Sequence, residues 1–507
     1  MKQPASCYLK FWRAIITLAV AAPLFGGSDV TRPPAVHAPL SGTAPARRLG
    51  QLKPCKVPNV EEELLGGKFT VYENRRTRTG RTIDLNVIVL PALDPIGVQE
   101  PLFELAGGPG IAITRSAVIY ATDMKEYRRH RDVVLVDQRG TGESNPLQAE
   151  HDSSPQAFLG EMYPVAYVQT LRARLEQKAD LTQYTTPIAM DDLDDVRAWL
   201  GYERINLYGL SYGTRAALVY LRQHPAHVRS VILMSVAPTF MQMPRYFARD
   251  GQRALNLLLD ECARDPVAGP AFPRLREELG EVLTRLEHQP ARVRYAKPDQ
   301  KIDVMVEISR EVFAEKLREQ LYLVFRARKI PRIIHEAALG NFGPFLDGAI
   351  PADRTVPDFI ADGMYLCVTS AEDTPFIDLA AAEKQNAGNI FGNYRVFQQT
   401  RAGRLWPRGQ IPEGYEQPVR SDVPALLISG NMDPVTPPVW AEEVARYLPN
   451  SRHVVLAHGA HLPDGLSHFE SLDKLMMDFL DAGDARQLDV TPLEQMLPPP
   501  FVTQNSK

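Results

Sequence analysis

The chain has 507 residues, 44% of them hydrophobic and 23% charged, with a formal net charge of -4. This is globular composition with ample material for a large core, and it lacks the basic footprint of a nucleic-acid-binding protein. Its 42 prolines also exclude long unbroken helical arrays.

Lys2, Lys10 and Arg13 precede an apolar run over residues 14–25, followed by Gly26-Gly27-Ser28. A basic start and about a dozen apolar residues predict a signal peptide over 1–27 and a secreted or periplasmic protein. The run falls short of the roughly 20 residues of a membrane span, so no stable membrane insertion is expected. Residues 28–54 read as a loose leader rich in Pro, Ala, Arg and Thr. Cys55, Cys262 and Cys367 would remain, with one disulfide expected among them and no pair favoured. No Cys-x-x-Cys is present, and neither a metal nor an organic cofactor is expected.

Residues 55–238 read as the first part of an α/β sheet domain. Strands are predicted over 68–73 and 82–90, with Arg75-Arg76-Thr77-Arg78 as a solvated hairpin tip. Short apolar strands follow at 102–105 and 132–136, each running into a glycine-rich turn. A helix is predicted over 188–200, a strand over 205–208, a helix just after Ser211 to about Gln223, and a strand over 228–234. Strand, glycine turn and helix in repetition predict a buried parallel sheet whose site lies at the carboxyl ends of its strands. Residues 239–420 then read as a mostly helical inserted cap, with helices over 245–263, 274–288, 301–326 and 329–340. The sheet resumes over 421–490, with strands at 424–429 and 452–456 and a closing helix over 469–479. Residues 491–507 form a tail.

Gly209-Leu210-Ser211-Tyr212-Gly213 matches G-x-S-x-G between a strand and a helix. That is the turn that lifts a serine hydroxyl above a sheet. A serine needs a histidine base, and the base needs an acid to orient it. The chain order serine, acid, histidine selects Asp433 and His461, each just after a strand. His458 is the rival base. His453 and His468 lie at the start of a strand and of a helix, and Asp422 and Asp464 are worse placed as acids. The amide of Tyr212 and that of Gly108, in Gly107-Gly108-Pro109-Gly110, are the expected oxyanion donors, since Pro109 has no N–H.

Those motifs, with Asp137-Gln138-Arg139-Gly140-Thr141-Gly142-Glu143-Ser144 and the stretch 430–437, resemble the proline iminopeptidase family and the related tripeptidyl aminopeptidases. The resemblance covers about residues 55–485. It implies an α/β-hydrolase sheet with a helical cap, and an enzyme that removes N-terminal residues or short peptides from peptides with a free N-terminus. It also implies Ser211 as nucleophile, Asp433 as acid, His461 as base, and 137–144 as support beneath the site. In the family, cap carboxylates hold the substrate amine. Glu372 and Asp373, after Cys367, are the candidates, with Glu307, Glu311 and Glu336 as alternatives. The rival readings are an esterase or amidase acting on small substrates, and a non-catalytic binding protein on the same fold.

Overall fold

The computed structural model describes residues 48–94, 99–150, 152–297, 300–351 and 360–503. The expected signal peptide and most of the leader lie outside the described residues. Among the described residues, no helix is long and apolar enough to cross a membrane.

Nine strands form one sheet. They are β1 (Lys53–Cys55), β2 (Leu64–Tyr72), β3 (Thr82–Leu90), β4 (Gln99–Leu105), β5 (Arg131–Val136), β6 (Ile205–Leu210), β7 (Val228–Met234), β10 (Ala425–Gly430) and β11 (Ser451–Leu456). Their order is β1-β2-β3-β5-β4-β6-β7-β10-β11. The first four in that order pair antiparallel, and β5 onward pair parallel. Alternation along each strand divides the side chains between two layers. Phe103, Leu105, Leu207, Val231 and Leu233 pack against the helices Thr186–Trp199 and Tyr212–Gln223. Leu102, Tyr208, Ile232 and Leu426 face the other way, against the closing helix Glu470–Ala482.

The inserted region divides by packing. Leu255, Leu258, Val282, Phe313, Ile333 and Phe345 belong to a core of their own. Met364, Leu366, Val368, Trp406 and Tyr415 instead join the core of the sheet. The helix expected over 301–326 is replaced at its start by a hairpin of β8 (Ala291–Lys297) and β9 (Ile302–Ile308). Ile302, Val304, Val306 and Ile308 alternate with period two, and a strand uses that pattern where a helix does not. Ser309 then caps the helix Arg310–Gln320 by accepting from Val312 N–H.

Two further expectations are corrected. Arg75 is not a solvated tip residue, because its Nη1 lies 2.8 Å from Asp192 and 2.7 Å from Asp195. Cys55, Cys262 and Cys367 are all free thiols. They sit apart, on β1, in the cap core and beneath Trp406, whose indole N–H meets the Cys367 sulfur at 3.2 Å.

Close backbone approach holds the turn after β6. A Cβ on Gly213 would lie 2.0 Å from the Leu105 carbonyl oxygen, and one on Gly209 2.4 Å from that of Gly213. Neither obstacle is a movable side chain. Gly213→Ala is therefore expected to cost at least about 3 kcal/mol, the upper range of overpacking. Urea unfolding checks this, and a wild-type midpoint would refute the packing argument.

Candidate active site

Ser211 stands between β6 and its helix with φ 57° and ψ -124°. That conformation is strained for a residue with a side chain. It is held by the Ser211 N–H on the Met234 carbonyl at 2.9 Å and by the Thr214 N–H on the Ser211 carbonyl at 2.9 Å. The hydroxyl thus stands at the carboxyl end of the parallel strands. Asp433 follows β10 and His461 follows β11 at the same sheet edge. The three meet: Ser211 Oγ is 3.0 Å from His461 Nε2, and His461 Nδ1 is 2.8 Å from Asp433 Oδ2.

The acid is tightly held. Its Oδ1 accepts from the N–H groups of Val435 at 2.7 Å and Thr436 at 2.8 Å, and its Oδ2 from the Thr436 hydroxyl at 2.8 Å. Burial alone would raise this carboxyl, but the charge and hydrogen bond of His461, with the Thr436 donors, hold it below its ordinary range. Two further contacts fix the base. Ser235 Oγ donates to the His461 carbonyl at 2.6 Å, and the Tyr322 ring meets the imidazole edge-on at 5.0 Å.

The other histidines go elsewhere. His458 Nδ1 lies 3.5 Å from the Glu261 carboxylate, His453 Nε2 3.0 Å from Ser429 Oγ, and His468 Nδ1 3.2 Å from Glu470.

The glycine-rich loop runs beside the hydroxyl. A Cβ on Gly107 would sit 3.3 Å from Ser211 Cβ and 3.8 Å from its Oγ, so a side chain there would crowd the reacting group. Gly108, the next residue, has φ 107°, in the region open to glycine. Tyr212 is buried, its phenol 2.7 Å from Thr186 Oγ1, which locks the residue whose amide follows the serine. Beneath this loop, Asp137 accepts from the N–H and hydroxyl of Thr114, from Asn86 and from the Glu143 N–H. Arg139 forks onto Asp192 at 2.6 and 2.9 Å.

Glu372 and Asp373 are not free to hold a substrate amine. Asp373 is fully buried against Arg215, Oδ1 to Nη1 2.9 Å, and also accepts from the Met243 N–H. Glu372 accepts from the Thr186 N–H at 2.7 Å and hydroxyl at 2.8 Å, and from the Tyr415 phenol. Burial pushes its carboxyl up to about 7, against the pull of Arg215 and these donors. Asp373 thus braces the elbow helix through Arg215, and Glu372 ties Thr186 to Tyr415. The alternatives fare no better, since Glu307 and Glu311 are exposed and Glu336 bonds Asn341.

Sequence reading missed Thr436, Ser235 and Tyr322. Thr436 lies three residues after Asp433, the spacing of a side chain that closes back on an acid, and that signal was available. Tyr322 carries no such signal, because only the folded insert brings it to His461.

One group has the donors of a metal site. Single ligand atoms of Asp194, His224 and His227 lie within 4.8 Å of one another. They sit at the far end of the elbow helix, and Arg197 already forks onto Asp194 at 2.6 and 3.2 Å.

Residues 105–463 match the alpha/beta hydrolase fold family. The chain belongs to that family. This hydrolase is similar to the tripeptidyl aminopeptidase of Streptomyces lividans, 32% identical over 160 residues, or 27% of this chain and 28% of that protein. It is also similar to the serine protease Hip1 of Mycobacterium tuberculosis, 27% identical over 237 residues, or 42% of this chain and 45% of that one. The chain thus spans less than half the length of these curated relatives. Among solved structures it is similar to the proline iminopeptidase of Mycobacterium smegmatis, with a TM-score of 0.41 and 18% identity over 82% of this chain and 99% of that one.

Proposed function

We propose that this hydrolase is a serine aminopeptidase that releases N-terminal residues or short peptides through an acyl-enzyme. The observation that carries the reading is the continuous hydrogen-bonded chain from Ser211 through His461 to Asp433. His461 Nε2 takes the hydroxyl proton as Ser211 Oγ attacks the scissile carbonyl, and Asp433 stabilises the imidazolium that forms. The amides of Gly108 and Tyr212 hold the tetrahedral oxyanion. On collapse the C–N bond breaks, and His461 returns its proton to the leaving amine. Water, activated by the same histidine, then hydrolyses the acyl-serine and restores the hydroxyl.

The insert favours chain ends over the middle of a folded protein, because its Tyr322 stands against the imidazole of His461. With Glu372 and Asp373 committed elsewhere, Asp250 is the buried cap carboxylate whose charge reaches Asp433. Its Oδ1 is already paired with Arg249 Nε at 2.7 Å and its Oδ2 accepts from Trp440 Nε1 at 3.1 Å, so it is no freer for an ammonium than Asp373.

The test compares kcat/KM for one chromogenic peptide with its N-terminus free and acetylated. An aminopeptidase requires the free ammonium, so the blocked peptide is expected to react at least about 100-fold more slowly. Equal rates would replace this reading with a general esterase or amidase.

A further inference from the structure

A side chain of the insert rests on the base. Tyr322 lies in the turn between the helix Arg310–Gln320 and the short helix Val324–Ala327. Its ring stands 5.0 Å from that of His461, the two planes crossing at 67°. Backbone ties hold it there. Its carbonyl accepts from the Leu462 N–H at 2.9 Å, and Leu323 pairs with Leu462 in an isolated parallel bridge. The residue that follows His461 is thus stitched to the insert at Tyr322. Arg318 holds the side chain as well. Its Nη1 donates to the phenol at 3.3 Å, and its guanidinium lies 5.5 Å from the Tyr322 ring and 5.2 Å from that of Phe247. Arg318 is itself fixed, since Glu315 meets its Nε at 3.0 Å and its Nη2 at 2.6 Å in a buried pair. Tyr322 also packs against the apolar cluster that contains Phe247 and Val435, and the Val435 N–H is a donor to Asp433.

An imidazole pivots about its Cβ–Cγ bond in a broad well. In His461 that pivot decides whether Nε2 faces Ser211. Asp433 holds one nitrogen and the Ser211 hydroxyl the other. The second bond is given up when the serine oxygen attacks, yet Nε2 must stay aimed at the leaving group to return the proton. At that stage Tyr322 still flanks the ring. An aromatic pair favours one orientation by an amount worth a factor of about two to ten in rate.

We propose that Tyr322 is a positioning residue for the reaction. It holds the imidazole of His461 in line with Ser211, and so makes the insert part of the catalytic apparatus and not only its roof. The inference rests on the Ser211–His461–Asp433 triad of the reading above and not on its peptide substrate. The test uses a fluorophosphonate that labels an activated serine. The Ser211 Oγ–P bond forms, the P–F bond breaks, fluoride leaves, and the hydroxyl proton passes to His461. Saturation kinetics separate the maximal labelling rate, kinact, from the binding constant KI. Tyr322→Leu keeps bulk and loses the ring, and should lower kinact by about three- to tenfold with KI within about twofold of wild type. Tyr322→Phe keeps the ring and loses the phenol, and should restore most of kinact. Tyr322→Met takes the place of Tyr322→Leu if circular dichroism shows that variant unfolded. Wild-type kinact in the Leu or Met variant, a loss confined to KI, or Tyr322→Phe as slow as Tyr322→Leu would overturn the proposal. A wild-type protein not labelled at Ser211 would remove it together with the triad. Labelling that depends on the Tyr322 ring, with no cleavage of a free-amine peptide anilide, would keep the positioning role and remove the aminopeptidase reading alone.

Discussion

Ser211→Ala is expected to lower kcat/KM by about 10³-fold or more while the protein stays folded. The hydroxyl is the one group here poised on a histidine that is itself oriented by a buried acid. What survives its loss is the catalysis of the oxyanion donors and substrate binding alone. His461→Ala should cost a similar factor, and the double variant little more, because the groups act as a unit. His458→Ala should stay within about tenfold of wild type, since a base must come within about 3.2 Å of the proton it takes. His458 faces Glu261 instead. Hydrolysis of a chromogenic peptide or ester measures all four variants. Near-wild-type turnover by Ser211→Ala, or a larger loss in His458→Ala than in His461→Ala, would remove the assignment. Circular dichroism separates a chemical defect from a folding one.

The largest effect on stability is expected at Asp373. Arg215 is fully buried on the elbow helix, and Asp373 is the carboxylate within ion-pair distance of it. Its remaining contacts are the carbonyls of Pro238 and Met241, at 3.3 and 2.6 Å, which bear no full charge. Asp373→Ala strands that cation and frees the Met243 N–H, so a loss of about 3–5 kcal/mol is expected. Replacing both partners with apolar residues of similar volume should recover much of it, because the desolvation cost leaves with the charges. Urea denaturation of the single and double variants measures the difference. A single variant within about 1 kcal/mol of wild type would mean that water reaches Arg215 and that the pair is not what holds the elbow.

The sheet was legible because its strands are short apolar runs ending in glycine turns, a local pattern set by period and burial. The elbow was legible for a similar reason. Gly209 and Gly213 mark where backbone meets backbone, and only glycine leaves room there. The β8–β9 hairpin was missed because four alternating aliphatic residues were absorbed into a longer helical window. The expected amine site failed for a different reason. Two adjacent acids late in an insert look alike in sequence whether they face a substrate or a buried arginine. Arg215 lies 157 and 158 positions before Glu372 and Asp373, and nothing local announces the pairing.

The sequence by itself determined the hydrolase fold, the strand–serine–helix elbow and the order serine, acid, histidine, because these depend on neighbours in the chain. The tertiary structure decided which histidine meets the serine, since His458 and His461 follow the same strand and differ only in where the loop turns them. It also decided that Thr436 closes on Asp433 and that Tyr322 stands on His461. Each of these is a contact between residues distant in sequence or dependent on how a loop is turned. Burial gives such contacts their energy, and burial exists only once the chain has folded.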